Sequence, residues 1–252
     1  MFGIIEEPFL YGVFGYLFCY LLDNTFIAFM LGKASILIVM LLAIERWFSV
    51  TKPFIYKLYF TRKKLLKYIS FILVLSAVLV IHKIFEARLK DNKCVHIRGM
   101  FGEEGQQAFV LSYVTGTFFI PSLITWASFI HIFYRAKTSP SLVSMSEQAR
   151  DQQRLLLRMC AITAAVLTGC WLPSQTIYIL NHFGFQLYQE VYVTIIFSMF
   201  NSTVNPWIYF LSNKEYRNEF LSLFSLCKKN TQVSPETAMP ENDTQVGQMN
   251  SA

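Results

Sequence analysis

Glu45 and Arg46 stand side by side at the end of an apolar run, and a carboxylate beside a guanidinium at such a border forms an ion pair that can be biased between two arrangements. Near the other end of the chain, Asn205-Pro206 is followed by Tyr209, with Asn201 and Ser202 one turn earlier. A proline inside a helix frees a carbonyl and bends the axis. Neighbouring asparagines offer donors that repair it, and the result is a deformable polar hinge. Cys170-Trp171-Leu172-Pro173 sets a second kink beside a large aromatic ring. Lys33 puts an ammonium in the middle of an apolar stretch, where a charge is costly and marks function by default. Its plain alternative is a lysine whose stem lets the charge reach a watery cavity. Taken singly, the other features also have plain readings, an interfacial ion pair and a kinked helix. None of them is hydrolytic machinery. The sequence has no paired intramembrane acids, no Ser-His arrangement, no His-Glu-x-x-His and no Cys-x-x-Cys, so no catalytic residue, metal or cofactor is expected.

The elements that must position these residues follow from composition. Of the 252 residues, 54% are apolar and only 15% are charged, more hydrocarbon than a soluble globule can hide. Residues 65–85, 107–134, 155–183 and 187–211 are nearly uncharged and each about 20 residues or longer, enough to cross the hydrocarbon core as a helix. Residues 24–44 qualify apart from Lys33. Helices satisfy their own backbone hydrogen bonds in lipid, so the expected fold class is all-α: a multi-span transmembrane bundle. The expected spans are 20–46, 65–85, 107–135, 155–183 and 187–211. Residues 213–226 place Tyr216, Phe220, Leu223 and Phe224 at helical spacing between charges, which predicts a short amphipathic helix in the membrane interface. Together these make one transmembrane domain, 1–227, followed by a polar tail, 228–252, too poor in apolar residues to bury a core. Cys227, where that helix ends, is a candidate for palmitoylation or a plain free thiol.

Basic residues orient the bundle. Segments 45–67, 135–158 and 212–229 share one side if the spans alternate, and they hold 16 of the 22 Lys and Arg residues. Basic flanks are retained in the cytoplasm, which predicts an extracellular amino terminus and a cytoplasmic carboxyl terminus. The amino terminus shows no basic, apolar leader pattern, so insertion is expected to rest on an internal helix. Inner loops of this charge sit against anionic lipid heads, and nucleic-acid binding is not needed to explain the net charge of +6.

In this order the motifs resemble those of rhodopsin-like (class A) G-protein-coupled receptors. Glu45-Arg46-Trp47, followed by Val50 and Pro53, resembles the acid-Arg-aromatic signature that closes that family's third helix. Asn205-Pro206-Trp207-Ile208-Tyr209, with Asn201 and Ser202 before it and Asn213-Lys214-Glu215-Tyr216-Arg217-Asn218 after it, resembles the end of the seventh helix and the start of the interfacial eighth. Trp171 and Pro173 are similar to the sixth-helix pair, Pro121 to the fifth-helix proline, and Ser35 and Ile36 stand at the matching distances before Arg46. The resemblance implies an activation switch of Glu45, Arg46, Asn205, Pro206 and Tyr209 that engages a heterotrimeric G protein. It implies a transmission core of Ser35, Ile36, Pro121, Leu167, Trp171, Pro173, Asn201 and Ser202, with Leu167 where the family usually has phenylalanine. Phe129 likewise stands where it usually has tyrosine. It also implies a disulfide between Cys19 and Cys94, although Cys19 is two residues farther from Arg46 than the usual spacing.

The same resemblance constrains the ligand. Met199 occupies the place of the opsin lysine that holds retinal, and Ala28 that of the aspartate with which amine receptors pair their ligand. The expected ligand is therefore extracellular and neither amine nor retinal, a peptide among the options, in a pocket of Phe29, Lys33, Trp171, Gln175, Tyr178 and Met199. The resemblance begins at the third of the family's seven helices, so the sequence is expected to be an amino-terminally truncated form, or a gene model lacking an upstream exon. Without the first two helices, a groove carrying Ser35, Asn201 and Ser202 is expected to lie bare to lipid. The competing expectations are a fragment that does not signal but dimerises with full-length receptors, and a small transporter, for which no internal repeat is seen. Plasma-membrane residence, a lipid bilayer and a receptor dimer complete the expected setting.

Overall fold

The computed structural model describes residues 12–23, 25–85, 87–90, 93–96, 102–136, 147–185, 187–212 and 214–229. Helix α1 (Gly12–Leu17) runs into a π turn (Phe18–Asp23), after which Thr25 adopts a left-handed conformation and α2 (Phe26–Thr51) begins. A π turn takes more residues per turn than an α-helix. The stretch between Cys19 and Arg46, two residues longer than the resemblance implies, holds this wide turn and the left-handed Thr25.

The remaining spans follow in chain order. Pro53 opens the short α3 (Pro53–Tyr59), where its missing N–H costs nothing. Helix α4 (Arg62–Val80) is succeeded by the single-turn α5 (His82–Phe85) and an antiparallel hairpin, β1 (Ala87–Lys90) with β2 (Lys93–His96). This hairpin is a small addition to the all-α bundle, which is the expected fold class. It is two strands of four residues, with Leu89 opposite Cys94, and the rest of the described chain remains helical. The third span is α6 (Glu103–Val114), a π turn (Thr115–Phe119) and α7 (Ile120–Ala136) in one continuous run. Pro121 explains the wide turn, because its ring cannot sit against the carbonyl four residues back and the backbone opens ahead of it. Helix α8 (Glu147–His182) is 36 residues, about 54 Å at 1.5 Å per residue. It exceeds a bilayer's hydrocarbon thickness, so its charged first three turns project beyond it. Helices α9 (Tyr188–Ser212) and α10 (Lys214–Lys229) close the described chain.

Four of these runs, Phe18–Thr51, Arg62–Phe85, Glu104–Arg135 and Arg150–His182, are long and apolar enough to cross a membrane. The fifth expected span, α9, is long enough at 25 residues, but Asn201, Ser202, Thr203 and Asn205 dilute its apolar character below theirs. Packing agrees with lipid as the outer solvent. In α4, Ile72, Ser76 and Val80 form a buried stripe at i, i+4, i+8, while Phe71, Leu73, Val74 and Val78 are exposed. The core gathers Ile36, Val39 and Ala43 of α2, Val110, Val114 and Phe118 of the third span, Phe129 and Ile132 of α7, and Leu157, Ala164, Leu167 and Trp171 of α8. A second cluster joins Ala34 and Leu37 of α2 to Ile72 of α4. Residues 230–252, the expected tail, lie outside the described residues.

Candidate functional site

At its carboxyl-terminal end α2 delivers Glu45 and Arg46, and the Arg46 Nε lies 2.9 Å from a Glu45 carboxylate oxygen. These two atoms approach as charges and not as an aligned hydrogen bond. The other carboxylate oxygen accepts a hydrogen bond from the Tyr56 hydroxyl at 2.8 Å. Tyr56 reaches it because α3 doubles back beneath α2 after Lys52. The carboxylate it donates to, its partial burial and the negative charge beside it hold the Tyr56 phenol above its ordinary pKa, so it keeps its proton. One residue on, the Trp47 indole N–H donates to His131 Nδ1 at 2.7 Å, joining α2 to α7. Neither Tyr56 nor His131 was singled out from sequence. Tyr56 lies eleven residues from Glu45 in a separate helix, and only that helix's return brings the two together.

Above this end the expected transmission residues meet in the core. Ile36, Leu167 and Trp171 share the main cluster, and Phe129 is buried in it. Pro121 is buried behind the π turn, and Pro173, inside α8, is half-buried. Gly32 of α2 lies close to the Trp171 indole, and a Cβ there would overlap the ring. Ser35 is half-buried. On α9, Asn201 is buried at 2% exposure, which corrects the expectation that it faces lipid; Ser202 is exposed, as expected. Asn201 and Asn205 each keep a side-chain carbonyl oxygen buried with no hydrogen-bond partner among the described residues, and Pro206 is exposed. Tyr209 lies on α9 and Cys227 on α10, but their side chains are outside the described residues.

The outer half holds most of the expected pocket. Lys33 is 1% exposed and donates to Gln175 Oε1 at 3.1 Å, so it is held inside the bundle and does not reach for its surface. Its ammonium lies 5.0 Å from the Tyr113 ring centroid and 5.8 Å from that of Trp171, within cation–π range. Lys83 of α5 lies 5.5 Å from the Phe29 ring and 5.7 Å from the Tyr178 ring. His82 packs edge-on against Phe109 and Tyr113, and His182 against Tyr178. Met199, expected beside these residues, is instead 41% exposed on α9. Tyr113, Lys83 and the two histidines were missed in the sequence; their signal is position, at the outer ends of spans whose inner ends are basic. The hairpin is tied down beside them by a disulfide from Cys94 to Cys19, with Cα atoms 5.6 Å apart.

A family model described as 7 transmembrane receptor (rhodopsin family) matches residues 4–209. The chain is 26% identical to the histamine H2 receptor of Cavia porcellus, covering 86% of this chain and 63% of that receptor. It is 25% identical to cannabinoid receptor 1 of Xenopus laevis, covering 87% and 50%. To a QRFP-like peptide receptor of Branchiostoma floridae it is 22% identical, covering 82% and 59%. The chain thus spans half to two thirds of the length of these three relatives.

Proposed function

The chain belongs to the rhodopsin family of seven-transmembrane receptors, and on that premise we propose that it binds an extracellular ligand in its outer half and promotes nucleotide exchange on a heterotrimeric G protein at its inner face. The observation that carries this reading is the contact set at the end of α2. Glu45 neutralises Arg46 and is itself held by Tyr56, so the guanidinium is occupied on its own helix at rest. Release of the carboxylate frees the guanidinium for a partner, which is a population shift between two local arrangements. The core of Ile36, Leu167 and Trp171 supplies a packed connection between the two ends, and Asn205-Pro206 a bendable segment of α9 beside it. The excess of basic residues in segments 45–67, 135–158 and 212–229 supports an orientation with this inner face in the cytoplasm and a bilayer around the spans.

Ala28 in place of the amine-pairing aspartate argues against carrying over the ligand for which the histamine receptors are named, and Met199 against a retinal Schiff base. The test is basal guanine-nucleotide exchange on a panel of purified heterotrimers by the chain in lipid nanodiscs. Glu45→Gln is expected to accelerate exchange above empty discs, and Arg46→Ala in the same background to abolish the gain. Exchange at the empty-disc rate for every variant and every heterotrimer would remove the proposal.

A further inference from the structure

Two buried donors face each other around Lys33. Lys33 carries three N–H donors and one of them is used, on Gln175 Oε1. Among the described residues no carboxylate pairs with it. The Trp171 indole N–H, whose ring is 5.8 Å from the same ammonium, is buried and has no acceptor among the described residues. Lys83 lies over the Phe29 and Tyr178 rings, which pack against the same core as Tyr113 and Trp171. Buried donors without acceptors and a buried cation without a counter-ion are both costly, and one group satisfies all of them. That group is an acceptor with a negative charge. The walls around it are aromatic, from Phe29, Tyr113, Trp171 and Tyr178.

We propose that the ligand of this chain is an organic acid: its carboxylate is received by Lys33 and the Trp171 N–H, and its apolar or aromatic body lies against Phe29, Tyr113 and Tyr178. Gln175 has a defined part in this. By accepting from Lys33 it fixes the ammonium's direction, and its own amide N–H groups remain to donate to the second carboxylate oxygen. Lys83 supplies long-range attraction from the outer end and draws an acid inward past the hairpin that the Cys19–Cys94 bridge holds in place. The proposal deepens the receptor reading above and rests on it for the word ligand, but the chemistry of the cluster is independent of any G protein.

The test uses the full chain in nanodiscs and matched probes that differ only in charge. 3-Phenylpropanoate, indole-3-propanoate and dodecanoate are each compared with the corresponding alcohol and ammonium by the shift in melting temperature at increasing concentration. Acids are expected to raise it more than their alcohols, and the ammonium compounds not at all. Lys33→Gln is expected to weaken acid binding at least tenfold, the loss of a charge-assisted hydrogen bond, with Lys33→Arg restoring most of it. Lys83→Gln is expected to cost a fewfold that shrinks as salt rises. The comparison on the unaltered chain keeps the test decisive if a Lys33 variant does not fold. Acids no better than their alcohols, or acid shifts undiminished in a folded Lys33→Gln chain, would overturn the proposal. Acid binding without nucleotide exchange would instead leave the acid site standing and remove the signalling reading.

Discussion

Gly32→Ala puts the contact between α2 and the Trp171 indole to a quantitative test. In a helix interior alanine is favoured over glycine by about 1 kcal/mol, so by propensity alone the substitution stabilises. The structure reverses the sign. A Cβ at Gly32 overlaps the outer carbons of the Trp171 six-membered ring, which is 4% exposed and enclosed by the core. Overpacking of this kind costs about 1–3 kcal/mol, and subtracting the propensity gain leaves a net loss of about 0–2 kcal/mol. Trp171→Phe removes the overlapping carbons, so in that background the overlap disappears and the propensity gain should surface. The double-mutant cycle is therefore expected to return a coupling of about 1–3 kcal/mol. Cys170 is a buried thiol, and a thiol-reactive dye followed through thermal melts in nanodiscs reports its exposure. A Gly32→Ala chain that melts higher by the same amount in both backgrounds would refute the placement of the indole.

Two further outcomes follow from the same geometry. Tyr56→Phe removes the 2.8 Å hydrogen bond to Glu45, and as that site is partly exposed the loss is about 1 kcal/mol, expected as roughly fivefold faster basal exchange in the proposed nucleotide-exchange assay. A rate equal to the parent's would show that the hydroxyl holds nothing. Cys94→Ser opens a bridge that closes 75 residues of chain, and a lower melting temperature corresponding to about 2–4 kcal/mol is expected. Cys19→Ser should match it and the double variant should add nothing; additive losses would mean the two cysteines act separately.

Much of the architecture was legible from pattern alone, because a bilayer demands long apolar runs and long apolar runs are easy to see. The hairpin was not, since each strand is only four residues, and the alternation in Ala-Arg-Leu-Lys is too short to separate strand from loop. Of the π turns, the one at Thr115–Phe119 is visible only indirectly, through Pro121. For the site, Glu45 and Arg46 were readable as neighbours, whereas Tyr56 depends on how α3 returns. Lys33 stood out by its cost, but its acceptor is 142 residues away on α8, a pairing that spacing within one helix cannot reveal. Asn201 was misplaced for a related reason: one helix's sequence marks it as polar without saying whether its face turns toward α8 or toward lipid.

Glu45 holds Arg46 on α2 while Tyr56 holds Glu45, and so α3 is tied to the end of α2. Spin labels at Lys57 of α3 and Arg154 of α8, both exposed, follow the position of α3 relative to α8 by pulsed electron resonance in nanodiscs, and release of Tyr56 lets α3 move. Glu45→Gln is expected to add or enlarge a population several ångströms longer than the parent's main distance. Superimposable distance distributions for the two chains, with both labelled and folded, would contradict the account.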